Sequence, residues 1–416
     1  MDPIASLRGF PRTVYVVAVA RFVNVLGSGM VYPFAVLYFY GEVGIPFTLV
    51  GIGLLANNVA LAVGTVLGGA LSDRYGRKPV MVASMALAGP ALASYTLVTS
   101  AAEFVLVASV AGLVMGLLAP ASQAMVADVT ESDARDRSYG LLKVASNAGF
   151  GSGFVLGGFL YGIAETLVFV ANGATSTIVA IWLLVALSPS PSSARAEDTA
   201  ATLGLRETLT EWRRAVSHPT IVGLALLNVG FAIAYAQMQS TVPVHAEATF
   251  GLTSEQLGTL YVLNPLVVVL FQIPVVTYAT RWRRTRGLVI SAGFWATSFL
   301  AIALSYLTSW HLGVALIGAF LVLRTVGELL HAPIVTALAS DVGTADTRGS
   351  QLSVLEVAKR IGFGIGPVLG GLFFDYGIDA LLWPALIVLC VGLVVGLLAL
   401  ERRVTPAQNG RAVPAD

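Results

Sequence analysis

The chain has 416 residues, 56% of them hydrophobic and 11% charged, with a mean hydropathy of +0.82 and a net charge of +1. A soluble domain carries about 25% charged residues. This composition therefore excludes a water-soluble globule, and the near-neutral balance gives no reason to expect a nucleic-acid partner. A single cysteine, Cys390, excludes a disulfide framework and a thiolate metal site.

A membrane-crossing helix needs about 20 apolar residues. Such runs occur twelve times, over approximately 13–40, 48–71, 79–98, 103–127, 138–160, 165–187, 219–241, 255–279, 286–308, 311–339, 348–374 and 379–401. The stretch "VYVVAVA" after Arg8 and Arg12 ends like a secretory cleavage site. The apolar pattern continues past Arg21 to about residue 40 and no soluble domain follows, so a first span is expected instead. Pro33, Pro90, Pro120, Pro265, Pro274, Pro333 and Pro367 predict kinks or opened backbone inside the spans.

The basic residues set the orientation. With the N-terminus inside, 19 of the 24 Lys and Arg fall in inside segments. The other five (Arg21, Lys143, Arg324, Lys359 and Arg360) fall within spans, and no outside loop contains one. This is the positive-inside pattern. It predicts a cytoplasmic N-terminus (1–12), a first six-helix bundle (13–187), a cytoplasmic linker (188–218), a second bundle (219–401) and a cytoplasmic tail (402–416). In the linker, Leu205, Leu209, Trp212 and Val216 fall on one helical face, which predicts an amphipathic helix at the inner membrane surface. Arg21 and Lys143 lie near enough to the inner ends of their spans to snorkel.

The two halves repeat. "DARDRSYGLLKVASNAGFGSGFVLGGFLYG" (133–162) lies over "DTRGSQLSVLEVAKRIGFGIGPVLGGLFFDYG" (346–377) at an offset of 213, which puts Asp128 on Asp341. A weaker match at an offset of 207 puts Asn57 on Asn264 and Arg74 on Arg281. These offsets span an even number of helices, so equivalent segments run in the same direction.

Residues 69–78 read G-A-L-S-D-R-Y-G-R-K. They resemble the loop motif between spans 2 and 3 of the major facilitator superfamily, G-x-x-x-D-R-x-G-R-[RK], at every specified position. The resemblance extends to twelve spans, six-plus-six symmetry and a long central loop. It implies an all-α membrane protein with twelve transmembrane helices in two parallel six-helix repeats around a central cavity. Within the motif, Gly69 is expected to permit close helix packing. Asp73 is expected to act by charge on a helix end at the seam between the halves. Gly76 would allow a tight turn, and Arg77 would reach Asp128 as a planar fork. Arg74, Arg77 and Lys78 can also be read as orientation signals; that is the preferred reading for Lys78, while Arg74 is placed with Gly69, Asp73, Gly76, Arg77 and Asp128 in the latch. The motif as a whole reads as a conformational latch on one half only, because the second half has Thr280 in place of Asp73.

Two further patterns bear on function. "GFGIGPVLGG" (Gly362, Gly366, Pro367, Gly370, Gly371) in span 11 resembles the g-x-x-x-G-P-x-x-G-G element of drug/proton antiporters, where it lies in span 5. Here span 5 has "GFGSGFVLGG" (Gly149, Gly153, Gly157, Gly158), with Phe154 at the proline position. Helix packing and an export signature are both open readings of these glycines. That group also carries an arginine in span 4 where this chain has Gly112. Span 10 instead carries Arg324, Glu328 and His331 on one helical face, and span 11 carries Glu356, Lys359 and Arg360. Ionisable groups inside a membrane are costly and default to function. A self-compensating salt-bridge cluster is the structural alternative to proton coupling at Glu328.

Asn24, Tyr32, Asn57, Gln123, Asn147, Asn228, Tyr235, Gln239 and Asn264 are candidate cavity residues, or else interhelical hydrogen-bond formers. No P-loop, metal-ligand spacing or nucleophile elbow is present, so neither an enzyme nor a cofactor is expected. The expected protein is a monomeric, multi-pass transporter of a prokaryotic cell membrane, with a small-molecule substrate and protons as partners. Proton-driven export of small amphipathic compounds is the first reading. Proton-coupled import of a sugar or organic acid, and uncoupled facilitation, stand as alternatives.

Overall fold

The computed structural model describes residues 9–188, 217–279, 282–342 and 348–410, and every regular element among them is a helix. The long helices are α1 (Arg12–Val31), α2 (Phe47–Tyr75), α3 (Arg77–Ala93), α4 (Ala101–Val129), α5 (Ser132–Ile163), α6 (Leu167–Ala186), α7 (Pro219–Phe250), α8 (Ser254–Ala279), α9 (Arg284–Ser305), α10 (Trp310–Val342), α11 (Arg348–Asp375) and α12 (Leu382–Glu401). These correspond one to one with the twelve apolar runs. Eleven are apolar enough over 18 residues to cross a membrane by composition alone. The exception is α5, 32 residues long, whose Gly, Ser and Asn content dilutes its apolar character. The amphipathic helix expected around Leu205, Leu209, Trp212 and Val216 lies outside the described residues.

Proline placement accounts for the breaks. Proline lacks an N–H and its ring crowds the carbonyl four residues earlier. Accordingly α4 is interrupted at Leu117, three residues before Pro120, and α8 at Val262, three residues before Pro265. The run expected as one span over 13–40 is divided near Pro33, and the chain resumes as a π-helix, Leu37–Glu42. At the α2–α3 corner Gly76 has φ +90°, a conformation that a side chain would strain. Side-chain capping boxes start α4 (Ser100 with Glu103) and α8 (Thr253 with Gln256).

The chain forms two compact units. The first contains α1 to α6 together with Thr253–Val262, the opening turns of α8; the second contains α7, the rest of α8, and α9 to α12. The sequence expectation has bundles at 13–187 and 219–401 joined by a linker at 188–218. The opening turns of α8 lie against α5, where a Cβ added at Gly158 would lie 2.6 Å from the Ser254 carbonyl oxygen. In the first unit α1 packs on α5, α2 on α4 and α3 on α6. In the second, α7 packs on α11, α8 on α10 and α9 on α12, the same pairing advanced by six helices.

Glycines set the closest approaches. Cβ atoms added at Gly149, Gly153 and Gly157 would lie 2.6, 2.5 and 2.6 Å from the carbonyl oxygens of Phe22, Leu26 and Met30 on α1. On α11, Gly362, Gly366 and Gly370 press on Val229, Ala236 and Thr241 of α7, Pro367 lies inside the helix, and Gly371 is buried. Between α2 and α4 the contact uses Gly68, whose added Cβ would lie 2.6 Å from Leu117 Cα. Gly69 does not serve this packing role: a Cβ there meets nothing within 4 Å. Adjacent residues on a helix point about 100° apart, so only one of the two glycines can face α4. Exposed Val66, Val185, Ile273 and Val388 form outer apolar surface suited to hydrocarbon rather than water.

Candidate functional site

The most unusual group lies in α10. Arg324 is 2% exposed, and its Nη1 donates to Glu328 Oε2 at 2.8 Å, one turn further along the same helix. The guanidinium carbon stands 4.1 Å from the Tyr235 ring centroid of α7 and 5.8 Å from that of Trp295 on α9. Tyr235 in turn packs on Phe363 of α11. An ionised arginine thus sits against two aromatic side chains, Tyr235 and Trp295, with one carboxylate as its counter-ion. Glu328 keeps 22% exposure, so it is the open end of the pair. The α7–α9–α10 packing that makes this site includes Gly327, where a larger residue would strike Trp295.

The other predicted charges separate from this pair. His331 is buried with its ring 4.3 Å from that of Phe231, and Nε2 has no hydrogen-bond partner. Glu356, Lys359 and Arg360 form their own cluster on α11. Lys359 Nζ lies 3.5 Å and Arg360 Nη2 3.2 Å from Glu356, whose side chain is half exposed. Each acid pairs along its own helix, because i,i+3 and i,i+4 positions are the nearest available partners.

At the α2–α3 corner Arg77 gathers its neighbours. It contacts Asp73, donates from Nη1 to Ser72 Oγ (3.1 Å), and places Nε 3.5 Å from Asp128 Oδ2 on α4. Within the first unit, then, Asp73 pairs with Arg77, while keeping 67% exposure. Arg74 lies over the Tyr75 ring. Lys78, read from sequence as an orientation signal, also donates to the Leu187 carbonyl (2.6 Å) and so caps the end of α6.

The second half repeats the arginine–aspartate pair. Arg284 Nη1 lies 2.5 Å from Asp341 Oδ2. A latch on one half only was expected from Thr280; the second half lacks the equivalent of Asp73 but does have an arginine–aspartate pair. The signal was present in sequence: an offset of 207 carries Arg77 to Arg284, and an offset of 213 carries Asp128 to Asp341.

The polar candidates divide by environment. Asn57 donates to the Ala108 carbonyl (2.8 Å), Asn228 to that of Leu355 (2.9 Å) and Asn264 to Thr325 Oγ1 (2.8 Å), each an interhelical hydrogen bond. Asn24 is buried with Nδ2 3.5 Å from Met85 Sδ on α3. Arg21 donates to Ser146 Oγ on α5 (2.9 Å) instead of snorkelling. Tyr32, Gln123, Asn147 and Gln239 keep exposed or half-buried surface, with the Tyr32 ring beside Phe150.

Comparison with known proteins agrees with this architecture. The chain is 25% identical over 404 residues to the uncharacterized MFS-type transporter YttB of Bacillus subtilis (strain 168), covering 96% of this chain and 98% of that protein. It is 24% identical over 352 residues to the multidrug resistance protein MdtH of Aeromonas salmonicida (strain A449), covering 85% of each. The crystal structure of the nucleoside transporter NupG superposes with a TM-score of 0.76 at 14% identity, over 94% of this chain and 99% of that one, which is a likeness of fold. The family model of the Major Facilitator Superfamily matches residues 17–253 and 238–415. On this match and the twelve-helix, two-repeat fold, the chain belongs to the Major Facilitator Superfamily and is a multi-pass membrane transporter of small molecules.

Proposed function

We propose that the protein is a proton-coupled exporter of small amphipathic compounds that works by alternating access, acting as a monomer in the cell membrane with both termini cytoplasmic. The observation that carries the coupling is the Arg324–Glu328 pair. A carboxylate that is the open end of a buried ion pair can exchange a proton with water and, on doing so, leaves Arg324 without a counter-ion. That change is large enough to bias a two-state protein. The rings of Tyr235, Trp295 and Phe363 suit flat, amphipathic substrates. The resemblance to MdtH supports the export direction. The fold alone does not select a cargo, since NupG carries nucleosides on the same framework.

One observation favours a second reading. Arg324 Nε is buried without a hydrogen-bond partner. A substrate carboxylate would supply one, which would make the protein an importer of an organic acid. Proteoliposomes with an internal pH dye separate these readings. Export coupling predicts that a proton gradient drives ethidium against its concentration gradient, and that Glu328→Gln abolishes this drive while leaving downhill ethidium movement. Proton-driven ethidium transport that survives in Glu328→Gln removes the coupling assignment. Proton uptake with benzoate that exceeds that of protein-free liposomes, with none for ethidium, moves the protein to the importer reading.

A further inference from the structure

The C-terminal segment after α12 does not trail away. Val404 is buried in the core of the second unit with Leu397 and Leu400. Thr405 and Gln408 close a short turn on each other, with Gln408 N donating to Thr405 Oγ1 and Thr405 N to Gln408 Oε1. Asn409 is then 4% exposed, and its Oδ1 accepts the Thr285 backbone N–H of α9 at 2.9 Å. Its backbone carbonyl accepts the N–H of Arg284 (3.1 Å), and the Gln408 carbonyl accepts Arg284 Nη1 (3.1 Å).

The site these atoms serve is electrostatically awkward. Arg283, Arg284 and Arg286 crowd the N-terminus of α9, where the helix dipole disfavours cations. Glu401 at the end of α12 holds two of them, Arg283 at 2.8 Å and Arg286 at 2.9 Å. Arg284 is held by Asp341 and the Ala337 carbonyl of α10 together with the Gln408 carbonyl. In the first half the equivalent arginine, Arg77, has Asp73 as an additional partner. In the second half Thr280 stands at that sequence position and supplies no carboxylate.

We propose that residues 402–410 are the missing part of the second latch, with Asn409 as its positioning residue. By capping α9 and pinning the backbone of Arg284, Asn409 fixes the angle at which the guanidinium meets Asp341. The tail thereby ties the ends of α9, α10 and α12 into one piece that moves as a body during transport. This inference rests on the latch reading of the Arg77–Asp128 and Arg284–Asp341 pairs.

The test uses the full chain with Asn409→Ala and Asn409→Asp, since aspartate caps a helix N-terminus as well as asparagine. Hydrogen–deuterium exchange is read on the amides of 284–288, and initial rates of ethidium movement in proteoliposomes are read against concentration. Asn409→Ala should raise exchange at 284–288 at least tenfold over wild type, with other helices unchanged. It should lower the maximal rate severalfold at unchanged apparent KM, and Asn409→Asp should restore both. Unchanged exchange at 284–288 in Asn409→Ala overturns the inference, as does a uniform rise over every helix. Local exchange that rises without any change in rate leaves the cap in place but overturns its link to transport. If ethidium is not a substrate even of the wild type, it is the export reading that fails, and the exchange result still decides the structural claim.

Discussion

Glu328→Leu and Arg324→Leu remove opposite halves of one ion pair, and their costs should differ. In Glu328→Leu the guanidinium stays where it is, 2% exposed and over the Tyr235 ring. It cannot shed its charge. Breaking a buried pair in this way costs about 3–5 kcal/mol. The contacts with Tyr235 and Trp295 exist before and after the change, so they do not offset it. In Arg324→Leu the residue left behind is a carboxyl with 22% exposure, which can bind water or a proton. Its cost is that of under-satisfied polar atoms, about 1–3 kcal/mol. The double variant leaves no charge and replaces the pair by apolar volume, so it should lie within about 1–2 kcal/mol of wild type, well below the sum of the single changes. Midpoints of unfolding of the detergent-purified protein should therefore fall in the order wild type, double variant, Arg324→Leu, Glu328→Leu. Equal losses for the two single variants, or a double variant as unstable as their sum, would show that Arg324 and Glu328 are not energetically one unit and would refute the reasoning.

Adjacent glycines of α2 make a sharper packing test. Gly68→Ala places a methyl 2.6 Å from Leu117 Cα and should cost about 1–3 kcal/mol, whereas Gly69→Ala meets open space and should be neutral or gain up to about 1 kcal/mol in helix propensity; thermal midpoints of the two variants decide this. Ser100→Ala removes the side chain that accepts the Glu103 N–H at the start of α4, for a loss of about 1 kcal/mol seen as faster amide exchange in 101–104. Asp73→Asn alters a largely exposed pair and should change stability by less than about 1 kcal/mol. Turnover of a transported dye should nonetheless fall, and an unchanged rate would reduce the loop to an orientation signal.

Helix number was legible because the membrane leaves few alternatives. Backbone groups in hydrocarbon must bond within their own segment, so apolar runs of sufficient length translate directly into helices. Pro120 and Pro265 similarly announced the breaks at Leu117 and Val262. The glycine rows at 149–158 and 362–371 marked faces for close helix contact, since only a missing Cβ lets two backbones approach so closely, and the structure supplies their partners, α1 and α7. Rotation about a helix axis was harder to read. Gly68 and Gly69 differ by one residue in sequence and by about 100° in direction, and only a partner helix decides which one is used. The same limit applied to Asn24 and Arg21, which turned to Met85 and Ser146 inside the bundle.

Side-chain partners in the candidate site failed to read through for a different reason. Arg324, Glu328 and His331 share a helical face by spacing, which suggested one cluster. Burial then sorted them by chemistry. Arg324 bonds the only one of the two that is an acid, and His331 turns its ring to Phe231. What the periodicity could not supply was the aromatic wall. Tyr235 and Trp295 come from α7 and α9, and the order in which helices pack fixes their approach to Arg324. The second arginine–aspartate pair shows the converse case. Two offsets, 207 and 213, jointly place Arg284 opposite Asp341, but only when both are applied to one pair. The chain between arginine and aspartate is six residues longer in the second half than in the first, yet the contact is present in both. It follows that neutralising Asp341 and neutralising Asp128 should each impair transport, with Asp128→Asn the milder of the two, because Asp73 and Ser72 still hold Arg77 whereas Arg284 is left with the neutral carbonyls of Ala337 and Gln408.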